Sequence, residues 1–187
     1  MSTADLYRRA VEEFGRRIDA VGDDQWANAT PCTDWDVRAL VNHVVGEDRW
    51  VVPLLEGQTI EQVGARLDGD LLGEDPKGSW KETHDDALDA VSTDLVLERT
   101  VSLSRGPTPA EDYLKEVAAD NLIHGWDLAM GTGGDTRLDA ELVAFAYDFY
   151  KPQVEIWRSF GAFGDEVEVP MDADRQTKLL GMIGRKA

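Results

Sequence analysis

Cysteine is all but missing: Cys32 is the only one in 187 residues. That excludes an intrachain disulfide and any cysteine-rich zinc cluster, and it fits a reducing compartment. Histidine is scarce too, with three residues, so a site that needs imidazole nitrogen has few ways to be assembled. Basic residues are outnumbered, 19 against 37 acidic ones, for a formal net charge of −18. Such a surface repels phosphate backbones and anionic membranes, which excludes nucleic acid and membrane as expected partners. An acidic surface of this kind serves solubility. No apolar run approaches the ~18 residues that would read as a membrane-spanning helix. The N-terminus, Met1 to Asp5, leads straight into an amphipathic pattern, without the basic and apolar segments of a secretory signal. The expected location is the cytoplasm. Internal repeats, low-complexity stretches and glycine-rich phosphate loops are also missing.

What the chain does have is apolar material, 42% of its residues, including six tryptophans, enough for a core. Tyr7, Ala10, Val11, Phe14 and Ile18 recur at helical spacing and predict a first helix over about Asp5 to Ala20. Thr33, with Asp36 three residues on, reads as a capping box. The helix that follows carries Val37, Leu40, Val41, Val44 and Val45 and ends near Pro53 to Gly57. A short helix is expected over Ile60 to Leu67, then a turn-rich connection. A third long helix should span about Ser79 to Leu95, with Trp80, His84, Ala87, Val91 and Leu95 on one side. Val101 and Leu103 alternate as a short strand does, and Gly106-Pro107-Thr108-Pro109 stops the chain. Further helices are expected over about Ala110 to Met130 and Ala140 to Trp157. Val167 and Val169 read as an edge strand, and Asp172 to Ile183 as a last short helix. The reading is one mostly α domain over residues 1–187: an antiparallel helical bundle within about 3–158 and a tail over 159–187 with a helix and short β or irregular structure.

The helix after residue 110 places chemistry where apolar residues belong. Asp120 and His124 are four apart and share the face of Tyr113, Val117 and Leu128. A carboxylate buried there needs compensation, and a metal ion supplies it. An Asp-x-x-x-His pair can present one oxygen and one nitrogen to a single divalent ion. The third ligand must come from elsewhere: His43, on the flank of the second helix beside Leu40, Glu47 and Trp50, with His84 as rival. Glu47, one turn after His43, is either a base near the ion or a solvated flank residue. Asp127 either orients a ligand or caps and pairs locally. Cys32 and Trp35, Trp50 and Trp126 read as packing residues, one tryptophan being free to line a pocket. Three ligands leave coordination positions open, as catalytic sites do.

The stretch from Pro31-Cys32-Thr33-Asp34-Trp35 through His43 to Gly46-Glu47 resembles the signature of the DinB-like superfamily. It is closest to the actinobacterial branch related to mycothiol-dependent maleylpyruvate isomerase. Asp120-Asn121-Leu122-Ile123-His124-Gly125-Trp126-Asp127-Leu128-Ala129 is similar to that branch's second signature, and the ending from Phe163-Gly164 to Gly184-Arg185 is similar to its C-terminal pattern. The resemblance implies a DinB-like four-helix bundle binding a divalent metal through residues matching His43, Asp120 and His124. The isomerase has glutamate where Asp120 stands; aspartate is one methylene shorter, so either the ion sits closer to that helix or a different ion is bound. The implied ion is zinc, with nickel possible, and the implied cosubstrate is a low-molecular-weight, mycothiol-like thiol. The expected activity is metal-dependent thiol transfer or isomerisation of a small-molecule substrate, with hydrolysis less favoured. The alternative is a non-catalytic metal-binding, sensing or metal-stabilised module. A homodimer is a further possibility.

Overall fold

The computed structural model describes residues 1–93 and 95–186. These fall into two compact units, Met1–Asp135 and the segment from Thr136 onward. The chain is mostly helical, and none of the described helices is long and apolar enough to cross a membrane.

In the first unit α1 (Thr3–Asp19), α2 (Val37–Leu55), α4 (Pro76–Val91) and α5 (Ala110–Thr132) form the expected four-helix bundle. Each packs on two neighbours, closing the ring α1–α5–α2–α4. The stripe read from α1 is its buried face: Tyr7, Ala10, Val11, Phe14 and Ile18 are all buried. On α2, Val37, Leu40, Val41, Val44 and Val45 do the same, and Asp48 and Val51 extend the stripe. Helix α5 is different. From Val117 to Ala129 it is buried on nearly every side, as befits a helix that packs on two bundle partners and on the strands.

The short helix expected after residue 59 is present as α3 (Ile60–Val63), capped by Thr59 and Gln62, and a 3-10 turn over Gly64–Leu67. Several boundaries differ from the sequence reading. Asp36, not Thr33, caps α2, accepting from the Ala39 N–H at 2.8 Å. Helix α4 starts at Pro76 rather than Ser79, because Asp75 caps it and proline suits a first turn where no N–H is needed. It stops at Val91, so Leu95 lies outside it, 69% exposed with φ 61°. The Gly106-Pro107-Thr108-Pro109 segment is itself a strand: β1 (Thr100–Leu103) pairs antiparallel with β2 (Gly106–Pro109). A two-stranded ribbon has only edges, where proline's missing donor does no harm.

The second unit contains α6 (Ala140–Tyr150), α7 (Val154–Ser159) and α8 (Arg175–Met182), with α6 packed on α8. The single helix expected over 140–157 is broken in two: Pro152 has no N–H to carry the ladder on, and the backbone leaves the helical region at Gln153, with φ −128°. Val167 and Val169 form no strand; instead the Val167 N–H donates to the Gly181 carbonyl at 2.9 Å. The irregular tail with its last helix, α8, is as expected.

Gly15 shows how closely α1 and α4 approach. A Cβ built there would lie 2.8 Å from Nε1 of Trp80, an indole that also packs edge-on against Phe14 at 5.0 Å. Glycine to alanine inside a helix normally stabilises by about 1 kcal/mol. Here Gly15→Ala should instead destabilise by roughly 1–3 kcal/mol through overpacking, read as a lower urea midpoint.

Candidate metal centre

The face of α5 that carries Asp120 and His124 meets α2 at His43. Nε2 of His43 lies 3.3 Å from Oδ2 of Asp120, and Nε2 of His124 lies 3.4 Å from Oδ1. The two imidazoles stand edge to face, 5.1 Å between centroids. One donor atom from each of the three residues falls within 4.8 Å of the others. These separations are long for charge-assisted hydrogen bonds, which run to about 2.9 Å. They leave the donors of three residues gathered around one small space, as ligands of a single ion would be. Oδ2 of Asp120 is buried and has no hydrogen-bond partner of acceptable geometry, despite the nearby His43 nitrogen. The set therefore fits a divalent cation held by two nitrogens and a carboxylate.

The electrostatics point the same way. Burial would push the Asp120 carboxyl up, but the positive charge of His124, and then the nearness of both imidazoles, outweigh it and hold it well below the usual range. Burial pulls His124 down, yet the Asp120 charge, followed by bonds to Asp120, Asp127 and Cys32, leaves it well above the ordinary imidazole value. The carboxylate demands positive charge beside it, whether a proton or a metal.

Behind His124 lies the buried Asp127. Its Oδ2 is 3.1 Å from His124 Nδ1 and accepts from the Cys32 thiol at 3.2 Å. A carboxylate can only accept, so Nδ1 carries a proton, which leaves Nε2 as the nitrogen turned toward Asp120. Asp127 is thus paired with both His124 and Cys32. Cys32 sits 3.8 Å from Nδ1 and, with His124 and Asp127, makes a second cluster of possible metal donors. Trp35 stacks on His43, 4.5 Å between centroids at 30°, and its ring is 5.6 Å from that of His124. Its role as a wall of the site was not legible from a packing tryptophan in a turn.

His84 is not part of this cluster; it is half-buried on α4, paired with Asp85 at 3.1 Å. Glu47 lies one turn beyond His43 on α2, half-buried. Burial and then the Asp120 charge push its carboxyl above the usual value. It lines a cleft of about 420 Å³ together with His43, Asn42, Trp50, Asp68 and Leu71.

One polar group beside the centre was missed altogether. Asp48 is fully buried in α2, accepting from Tyr7 Oη at 2.5 Å and from Asn121 Nδ2 at 2.8 Å, and so ties α1, α2 and α5 together. The signal was there: it falls on the stripe Val41, Val44, Val45, Val51.

The model of the mycothiol maleylpyruvate isomerase N-terminal domain family matches residues 7–129. Two proteins from strains of Mycobacterium tuberculosis, both named as uncharacterized, are 29% identical over 188 aligned positions, covering 96% of this chain and 95% of theirs. A crystal structure of a histidine-to-alanine mutant of the mycothiol-dependent maleylpyruvate isomerase has the same fold. Its TM-score is 0.63 at 14% identity, covering 88% of this chain and 73% of that one.

Burial, only partly offset by its two hydrogen bonds, pushes Asp48 up to about 7 from an ordinary 3.8. The folded protein thus keeps a proton that the unfolded chain releases. The stability this contributes is full below about pH 3.8 and is lost as the pH rises to about 7. In metal-free protein, urea unfolding should show that decline, and Asp48→Asn should flatten it. An unchanged slope in the variant would assign the pH dependence to other groups.

Proposed function

Because the chain belongs to the mycothiol maleylpyruvate isomerase N-terminal domain family, we propose that it binds one divalent metal ion through His43, Asp120 and His124. On this reading it uses the ion to activate a low-molecular-weight thiol toward a small-molecule substrate. The observation that supports the proposal is the Asp120 carboxylate set between two imidazoles, its buried Oδ2 without a hydrogen bond. Nitrogen and carboxylate donors suit zinc first, and nickel also. The family relation supports the thiol. It brings the reaction class, thiol transfer or thiol-assisted isomerisation, only as far as this proposal.

A divalent ion held there supplies Lewis acidity, which lowers the pKa of a thiol or water and so provides a nucleophile near neutral pH. The protein's own groups do the rest. Asp127 holds the His124 proton at Nδ1 and keeps Nε2 aimed inward, as a carboxylate behind a metal-binding histidine does. Trp35 fixes the plane of His43 by stacking and shields that side of the site from water. The cleft beside His43 leaves an approach for the substrate, and three protein ligands leave coordination open to it.

Elemental analysis of purified protein should find about one zinc or nickel per chain, lost in both His43→Ala and His124→Ala. Protein that takes up no metal on addition would overturn the proposal. Asp127→Asn should retain the fold but bind metal about 10–100-fold more weakly, the usual effect of removing an orienting partner.

Metal-loaded protein should form thiol adducts with small electrophiles, and His124→Ala should not. Full metal occupancy without thiol chemistry across a substrate panel would leave a metal-binding module in place of an enzyme.

A further inference from the structure

On the Nδ1 side of His124 a second set of donors closes around the same ring. Asp127 Oδ2 lies 3.1 Å from Nδ1 and 3.2 Å from the Cys32 sulfur, which is itself 3.8 Å from Nδ1. One donor atom from each of the three residues falls within 4.8 Å of the others, as in the first set. The two sets share a residue but no atom, since His124 turns Nε2 to Asp120 and Nδ1 to Asp127. Asp127 and His124 are buried, and Cys32 is half-buried.

The sulfur is placed by bonds that do not involve the cluster. Cys32 lies in the turn before α2, where its carbonyl accepts from the Trp35 N–H at 2.8 Å and its N–H donates to the Thr30 hydroxyl at 3.2 Å. Just upstream, the Gln25 and Asn28 side chains donate to the carbonyls of Thr132 and Gly131 at 2.9 and 3.0 Å, fastening this segment to the end of α5. Turn and helix therefore hold their donors together before any ligand arrives, which lowers the ordering cost of chelation.

Thiol and imidazole each direct a hydrogen at the same carboxylate oxygen. A cation in that space replaces both hydrogens, bound by thiolate, nitrogen and oxygen, and the two protons pass to solvent. Charge permits this. One divalent ion in the first set is balanced by Asp120 and Asp127. A second is balanced by the Cys32 thiolate and by the His124 imidazolate that then bridges the pair. Neither loading leaves the five residues with a net charge for burial to penalise.

We infer that Cys32, His124 and Asp127 form a second metal site, selective for a thiophilic divalent cation, zinc first, with His124 bridging it to the His43 centre. Filling it expels two protons, so it takes an ion after the first site does, and protein as purified carries one. The inference does not require thiol activation.

The test titrates metal-free full-length protein with cobalt(II) in buffer without added thiol. Cys32 is the only cysteine, so a near-ultraviolet thiolate-to-cobalt charge-transfer band has one source. Wild type should bind about two cobalt ions per chain, the band growing in with the second. Cys32→Ala should bind one and show no band. His43→Ala breaks the first site, leaves all three donors of the second, and should keep the band. Asp127→Asn should raise the cobalt concentration that half-saturates the band roughly tenfold or more, whereas a sulfur binding cobalt by itself would not respond. Wild type that saturates without a band would overturn the inference and leave the His43 centre standing. A band that half-saturates at the same concentration in Asp127→Asn would overturn it too. One cobalt per chain, with a band unchanged in His43→Ala, would uphold the Cys32 site and remove the His43 centre.

Discussion

Everything polar in the centre of this bundle answers to the burial of α5. A helix enclosed on nearly all sides cannot solvate what it carries, and this one carries Asp120, Asn121, His124 and Asp127 within two turns. Each is matched to a group on another element or one turn away. Asp120 faces His43 on α2, Asn121 bonds Asp48 on α2, and His124 and Asp127 satisfy each other with Cys32 alongside. Tyr7 completes the set from α1. The register of α1 and α2 against α5 is thereby fixed by polar groups as well as by the valine and leucine stripes, since sliding either helix would strand a buried charge.

The four bundle helices were legible because each has a periodic apolar face, and a period of 3.6 survives errors in where the helix ends. What failed were the ends. Asp36 and Asp75 cap where Thr33 and Ser79 were read as starts, since several Ser, Thr and Asp residues cluster there and any of them can cap. The two-proline strand and the break at Pro152 went unread for opposite reasons. Proline reads as a stop at 107 and 109, where a two-stranded ribbon tolerates it, and the helical period runs on through Pro152, where the ladder breaks.

The site divides in the same way. His43, Asp120 and His124 were visible because charge and imidazole interrupt apolar faces, and the structure brings the three together while leaving His84 on α4. Asp48 interrupts its stripe in the same sense, yet a charged run, Glu47-Asp48-Arg49, disguised it as solvated surface. Trp35 and Cys32 sit in the turn before α2, where no periodicity reports which way a side chain points. Only the path of the chain between helices reveals them. The family match over residues 7–129 covers this whole constellation, so a mycothiol maleylpyruvate isomerase-like domain is the frame within which its details vary.

Two of the candidate ligands lie one turn apart on α5, and each histidine of the set has its ring held from behind, His43 by Trp35 and His124 by Asp127. Such donors keep few free torsions. Their spacing is set by backbone hydrogen bonds that the fold needs in any case. The conformational entropy lost in gathering donors is thus surrendered when the bundle forms, not when an ion arrives. An ion entering the centre would meet a rigid chelate that has little room to reshape itself around a cation of a different radius.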